Sequence, residues 1–453
     1  MWVSNPLRRP ALPVIMSSAI LSCAAVGTAA DENHPTGATE VADEQFAVHG
    51  QFTYVEQETG SFRAPYAGPN SLSPSEGRET TDLTLYAGAR LWRGAEIWIN
   101  PEIDQGFGLD NTLGAAGFPS GEAYKIGKNQ PYLRLQRLFM RETLDLEGDR
   151  QAVAADINQL AGDRSANRWV FTVGKFSVID IFDSNQYAHD PRNDFLNWAA
   201  VDAGSFDYAA DAWGYTVGAA AEWYQGTWTM RAGLFDLSNV PNSVHLEPGL
   251  HELQVDVEVE KRHEILGHPG KVMLTAFDSR GRMGLLDEAV QTAQATGNPI
   301  DIAATRRLRD RGGADLNLEQ ELAQDLGLFA RVGHSAGNVE TYEFTDIDRT
   351  AAAGLSLKGS RWARGDDTIG LAGIVSGISA ARERYLNAGG LGILIGDGRL
   401  PHPGPEQILE TYYSVGVVPQ AHVSFDYQFV KNPAYNRDRG PVSIFAVRVH
   451  AQF

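Results

Sequence analysis

From residue 46 onward the chain alternates apolar and polar side chains with a period of two, as strands do when their faces meet different surroundings. In 46–54, Phe46, Val48, Gly50, Phe52 and Tyr54 share one face, and Ala47, His49, Gln51 and Thr53 the other. In 83–91, Leu83, Leu85, Ala87, Ala89 and Leu91 alternate with Thr84, Tyr86, Gly88 and Arg90. The contrast is strongest at 250–260, where Leu253, Val255, Val257 and Val259 alternate with Glu252, Gln254, Asp256, Glu258 and Glu260. At 421–429 Ala421, Val423, Phe425, Tyr427 and Phe429 alternate with His422, Ser424, Asp426 and Gln428. Similar segments lie at 94–103, 131–143, 168–176, 212–222, 226–236, 269–277, 326–333, 349–358, 367–378, 407–416 and 443–453, giving fifteen predicted strands in all.

A soluble all-β protein would alternate too, but would turn its apolar faces inward. Here the apolar faces are aromatic-rich in nearly every segment and the opposite faces are strongly charged, which suits lipid outside and water inside. The expected fold is therefore all-β, a transmembrane antiparallel β-barrel. Single-chain bacterial outer-membrane barrels have even strand numbers, so sixteen strands are expected, one of them unread. In the last segment Ser443, Phe445, Val447, Val449, Ala451 and Phe453 face one way, and Ile444, Ala446, Arg448, His450 and Gln452 the other. A terminal strand ending in Phe is expected to be read by the barrel assembly machinery.

Three long stretches interrupt the alternation: the Gly-rich 104–130, the charged 177–211, and 280–325, in which Leu285–Ala295 and Leu316–Leu326 read as helical patches. Loops of this length are usually functional. The N-terminus is of another kind. Arg8 and Arg9 precede an apolar 11–26 and the small residues Gly27-Thr28-Ala29-Ala30, the pattern of a signal peptide over 1–30. The lone cysteine, Cys23, would leave with it; a lipobox at Ile20-Leu21-Ser22-Cys23 is the poorer-fitting alternative. Residues 31–44 read as a flexible periplasmic lead, and 45–453 as the barrel.

Composition narrows the classes. The formal net charge of -19 argues against nucleic acid as a partner. One cysteine supports neither a disulfide framework nor a cysteine zinc cluster. Beyond the N-terminus no apolar run approaches the roughly 18 residues of a membrane helix. No catalytic set, metal site or cofactor is expected. Gly333-His334-Ser335-Ala336-Gly337 spells a nucleophile elbow without its strand–turn–helix setting. His263-Glu264 with His268 misses zinc-helix spacing and reads as a turn between strands. Gly390, Gly392 and Gly396 miss dinucleotide spacing. Arg306, Arg307, Arg309 and Arg311, around Asp310, read as a solvated loop, with a lipid A phosphate contact as the alternative.

Several stretches together resemble the carbohydrate-selective porins of the OprB type over essentially the whole mature chain. They are Trp98-Ile-Asn-Pro-Glu102, Val173-Gly-Lys-Phe176 with Asp180-Ile-Phe-Asp183, Asp190-Pro-Arg-Asn-Asp-Phe-Leu-Asn-Trp198, Asn317-Leu-Glu-Gln320, Gly389-Gly-Leu-Gly, Ile395-Gly-Asp-Gly398, and Asp426-Tyr-Gln with 432–441 through Phe453. The resemblance implies a sixteen-stranded Gram-negative outer-membrane barrel that passes monosaccharides and related polyols by facilitated diffusion, with at least one loop folded into the lumen. A general diffusion pore for small hydrophilic solutes and ions is the competing reading. The partners implied are small glucose-like carbohydrates, outer-membrane lipid and lipopolysaccharide, and the assembly machinery, with a homo-oligomer left open.

A sugar needs hydrogen-bonding groups for its hydroxyls and an aromatic for its ring face, held weakly enough to release it. Alternation places Arg90, Arg137, Arg141, Arg231, Arg331 and Arg448 on lumen faces, together with Asn100, Glu102, Glu252, Asp256, Glu258, Glu410 and Asp426. The expected eyelet consists of Glu102 paired with Arg137 and Arg141, with Asn100 nearby. Phe195 and Trp198, on the 177–211 loop, are the expected stacking residues.

Overall fold

A computed structural model describes residues 43–123 and 127–453. The predicted signal peptide, with Cys23, and residues 31–42 of the predicted lead lie outside the described residues. The strands in chain order are β1 (Phe46–Thr59), β2 (Gly77–Trp92), β3 (Ala95–Gly106), β4 (Lys128–Asp145), β5 (Arg150–Val153), β6 (Gly162–Ser165), β7 (Arg168–Phe176), β8 (Thr216–Gln225), β9 (Trp228–Asp236), β10 (Leu253–Ile265), β11 (His268–Met283), β12 (Arg307–Ala323), β13 (Leu326–Ser335), β14 (Arg349–Lys358), β15 (Thr368–Gly377), β16 (Glu406–Val418), β17 (Ala421–Lys431) and β18 (Val442–Gln452). Sixteen of these close a barrel in chain order, with β18 pairing β1; β5 and β6 form a separate hairpin. Every pairing is antiparallel, as two-residue turns and simple meanders require. Gly50 and Phe453 exchange both backbone hydrogen bonds at 2.7 and 2.9 Å and extend the closing seam by one residue.

The faces are inverted relative to a soluble protein. On β10, Val255 and Val257 are each 48% exposed, whereas Asp256 and Glu258 between and beside them are 0% and 1% exposed. Exposed Leu, Val, Ile and Phe recur on the outer face of strand after strand. Trp92, Trp169, Trp228 and Trp362 stand exposed at one end, where amphipathic rings mark the edge of an outer-membrane barrel. Among the described residues no helix is long and apolar enough to cross a membrane; the strands cross it.

The two ends differ. At one, β2–β3, β8–β9, β10–β11, β12–β13 and β16–β17 are joined by two residues each. The Leu266–Gly267 turn has φ of 55° and 81°, the doubly left-handed geometry of tight hairpins. His263, Glu264 and His268 flank this turn. Long loops occupy the other end, including 177–215. In outer-membrane barrels short turns face the periplasm and long loops the exterior.

Two expectations are corrected. The unread sixteenth strand is β12, inside the stretch expected to be a loop, so the predicted helical patch Leu316–Leu326 is instead the end of β12, the two-residue turn 324–325 and the first residue of β13. Its inward side chains, Arg311, Asp315, Asn317 and Glu319, are all polar, and its outward ones include Gly312 and Ala314. Leu308, Leu316, Leu318 and Leu322 share that outward face, but Asp310, Gly312 and Ala314 interrupt its apolar half. Of the two predicted helical patches only one forms a helix, α1 (Leu286–Thr296). Likewise Arg307, Arg309 and Arg311 belong to β12, not to a loop. Arg311 is buried, donating to Asp207 at 2.9 Å and to Ser335 Oγ at 2.9 Å. Ser335 is thereby a buried strand hydroxyl, not an exposed nucleophile.

The apolar core lies inside the barrel, formed by loops packed against the wall. Phe182, Phe195, Trp198, Phe206 and Tyr208 of the 177–215 loop join Phe235, Phe277, Phe329 and Tyr412 of the strands in one buried cluster. Ring centroids lie 5.0 Å apart for Phe195 and Tyr412, and 5.1 Å for Phe206 and Phe277, within the favourable range for aromatic pairs. Gly370 on β15 makes room for this packing, since a Cβ there would meet the Tyr412 and Phe195 rings.

Candidate functional site: a cavity in the lumen

The 177–215 loop is fastened to one side of the wall by the charges that alternation turns inward. Glu410 on β16 accepts the backbone N–H groups of Leu196 at 2.5 Å and Asn197 at 3.2 Å. Arg448 on β18 donates to the carbonyls of Pro191, Asp194 and Asn193 at 2.6, 2.8 and 3.1 Å. Arg331 on β13 pairs with Asp183 at 3.2 Å and donates to the Ala200 carbonyl at 2.7 Å. Glu258 accepts the Asp183 N–H at 2.8 Å. A buried loop must pair its backbone polar groups, and these side chains do it.

The opposite wall, β2 to β4 and β7, meets the loop only through side chains that reach across, such as Asp211 to Arg134 at 3.2 Å and Trp213 to the Tyr132 hydroxyl at 3.0 Å. Between them lies a cavity of about 690 Å³. Tyr86, Glu102, Arg137, Phe139, Arg141 and Thr172 line it from the wall. Phe118 and Glu122 line it from the β3–β4 loop, and Asp180, Asp190, Arg192, Trp198, Tyr208 and Tyr215 from the long loop.

The β3–β4 register explains how the wall presents these groups. Asn100 pairs with Arg137 but Pro101 with Leu135, so Gln136 is an extra residue on β4. Proline lacks the N–H for a regular ladder bond and sits naturally at such a bulge. Both Gln136 and Arg137 then face the lumen, and Gln136 Nε2 donates to Glu102 Oε1 at 3.0 Å.

Charges cross the cavity in two groups. Arg137 holds Asp180 in a two-point pair, with 2.7 Å from Nε and 2.6 Å from Nη2. It also lies 4.9 Å from the centre of the Tyr215 ring. Arg192 pairs with Glu122 at 2.8 Å and lies 3.6 Å from Glu102 and 3.7 Å from Asp82. Beside these charges Phe118 and Trp198 stack, with centroids 5.2 Å apart and planes 17° apart. In the loop, burial raises the Asp180 carboxyl, but the Arg137 guanidinium outweighs it and holds the group below the ordinary carboxylate range. At Asp194 burial outweighs the Arg448 charge and the N–H groups of His189 and Asp190, and pushes the carboxyl up to about 6.

The structure thus gathers Glu102, Arg137, Arg141 and Trp198 in one cavity, with Asn100 just behind it. The expected pairing is corrected: Asp180, not Glu102, is the partner of Arg137, and the cation nearest Glu102 is Arg192 from the loop. Arg141 lies 3.8 Å from Glu96 and donates to the Asn158 carbonyl at 2.8 Å. The remaining residues stand elsewhere. Phe195 is fully buried as a loop anchor, like Arg331 and Arg448. Arg231 is enclosed by Glu222, Glu258 and Glu260 at 2.6–3.1 Å. Arg90 sits at the short-turn end, donating to the carbonyls of Glu44 and Ala161. Sequence reasoning missed Asp180, Arg192, Phe118 and Tyr215 as lining groups. Asp180 and Arg192 stood in the charged stretch, but a loop has no alternation from which direction can be read.

Comparison with known proteins agrees with this architecture. The high-pH structure of Pseudomonas putida OprB is similar over 90% of this chain and 94% of that chain, with a TM-score of 0.66 and 15% identity. The outer membrane channel DcaP of Acinetobacter baumannii is similar over 90% and 97%, with a TM-score of 0.50 and 10% identity. At such identities the likeness is one of fold. No curated protein matches the chain in sequence. The family model described as "Carbohydrate-selective porin, OprB family" matches residues 71–453. Belonging to that family and closing into sixteen antiparallel strands, the chain is an outer-membrane porin of the carbohydrate-selective OprB family.

Proposed function

We propose that the chain passes monosaccharides by facilitated diffusion, and that the cavity between the long loop and β2–β4 is a weak sugar-binding eyelet. The observation that carries this reading is the pairing of two chemistries on one cavity. Arg137 with Asp180, and Arg192 with Glu102 and Glu122, offer fixed donors and acceptors for hydroxyls. The stacked Phe118 and Trp198, only 6% and 3% exposed, border the cavity and give it an apolar edge for the ring face. Each charge is already partnered, so its direction is fixed in advance and a passing sugar need only share the hydrogen bonds. Such exchange keeps binding weak, as conduction requires.

The test is liposome swelling with glucose and with an uncharged non-sugar of similar size. An eyelet of this kind gives a glucose rate that saturates with concentration while the control solute rises linearly. Identical linear rates for the two solutes would mark a general diffusion pore and end the proposal.

A further inference from the structure

The turn between β4 and β7 breaks the pattern of its end of the barrel. Of the six other turns between barrel strands at that end, five have two residues and the β14–β15 turn has nine, whereas this one runs over 146–167 and carries the β5–β6 hairpin. Such length at the periplasmic end runs against the usual short turns. The hairpin is built and fastened. Arg150↔Ser165 through Val153↔Gly162 pair its arms. At its tip Asp156 and Gln159 exchange both backbone bonds at 3.0 Å. Leu160 is buried in the lumen core cluster. Arg90 Nη2 holds the Ala161 carbonyl at 2.9 Å, and Glu44 accepts the Ala161 N–H at 2.8 Å.

The tip reaches far up the lumen. Asn158 Oδ1 accepts from Asn100 Nδ2 at 2.9 Å, and its carbonyl accepts from Arg141 at 2.8 Å. Asn100 is five residues into β3, about 17 Å along a tilted strand at roughly 3.3 Å per residue. It stands one inward position below Glu102. Asp156, Ile157 and Asn158 line the same cavity as Glu102, Arg137 and Trp198. Asn158 takes φ of 55°, which an asparagine tolerates and most residues do not. The conformation turns its carbonyl and its side chain toward the two wall residues.

We propose that this hairpin tip is the periplasmic-side half of the constriction, so that solute size is set between two inward segments, the long loop from outside and the 154–161 tip from inside. Asp156, Ile157 and Asn158 are then the groups a solute passes last. The proposal rests on the cavity being the permeation path but not on its binding sugar, and ions alone report on it.

The test is single-channel conductance of the full chain in salt without sugar. Replacing 150–165 by a two-residue turn should raise conductance about two-fold or more and admit disaccharides in liposome swelling, because a constriction dominates the resistance of a pore. Asn158→Gly keeps the left-handed backbone, loses the tie to Asn100 and should raise conductance by a smaller amount. If the shortened chain does not assemble, Asp156→Trp decides, since Asp156 is exposed at the tip and a bulky ring there should cut conductance to about half or less. A heat-modifiable barrel whose conductance and size limit are unchanged by these replacements would overturn the proposal, whatever its behaviour toward glucose.

Discussion

Arg137 grips Asp180 through two parallel hydrogen bonds of 2.7 and 2.6 Å, joining the bulged wall strand to the first turn of the inward loop. The pair fixes the loop's entry into the lumen and leaves the three remaining guanidinium N–H groups of a cavity-lining residue to bind hydroxyls. In Arg137→Ala the pair and these N–H groups are lost. Glucose uptake relative to an uncharged control should fall about tenfold, the equivalent of roughly 1.4 kcal/mol of sugar contact. Liposome swelling of the assembled variant measures it, and an unchanged ratio would remove Arg137 from the sugar path. Glu102→Gln, which weakens the field around Arg192, should move the same ratio in the same direction.

Trp198 faces Phe118 at 5.2 Å in a near-parallel stack. Trp198→Ala should weaken glucose block while raising ion conductance, since the aromatic surface is removed and the lumen widened. A charge-neutral change of this kind separates ring stacking from hydroxyl binding, about 0.5–1.5 kcal/mol being the value of an aromatic contact. Planar-bilayer recordings with and without glucose test the two effects together. A fall in both conductance and block would contradict the assignment.

Glu410 accepts two backbone N–H groups of the loop while fully buried. Glu410→Ala strands both donors, at about 1–3 kcal/mol each. The heat-modification midpoint should drop, and open-channel current noise should grow as the loop loosens. An unaltered midpoint would show that other contacts suffice to hold it.

Asp194 has a carboxyl raised to about 6 in the folded chain. A raised carboxyl favours the folded state most strongly below its ordinary value near 4, and that contribution is lost as pH rises through about 6. Asp194→Asn cannot ionise. Its heat-modification midpoint should therefore change less between pH 4 and pH 7 than that of the parent chain. Parallel pH profiles for the two proteins would count against a raised Asp194.

The barrel was legible because lipid and water impose opposite demands on successive residues. Val255 and Asp256, or Leu138 and Arg137, declare their faces by identity alone. β12 was not legible because Gly312 and Ala314 stand on its lipid face while Arg311 and Asp315 face inward. Leu308, Leu316, Leu318 and Leu322 mark the lipid face, but Asp310, Gly312 and Ala314 interrupt it and hide the period. The wall half of the candidate site, Glu102, Arg137 and Arg141, could be read for the same reason as the strands. The Gln136 bulge could not, and without the fold neither could the loop partners. Asp180 and Arg192 reach the wall across the lumen, and no spacing in the chain encodes that distance. The same applies to Arg331 and Arg448, whose inward direction was evident but whose role as anchors depends on where the loop lies.

The most direct measurement is single-channel current titrated with glucose in a planar bilayer. A weak eyelet predicts that current falls along a saturating curve with half-block in the millimolar range, and that the block diminishes in Arg137→Ala and Trp198→Ala. A current that declines only as the solution's viscosity rises, alike in parent and variants, would contradict a sugar site in this lumen.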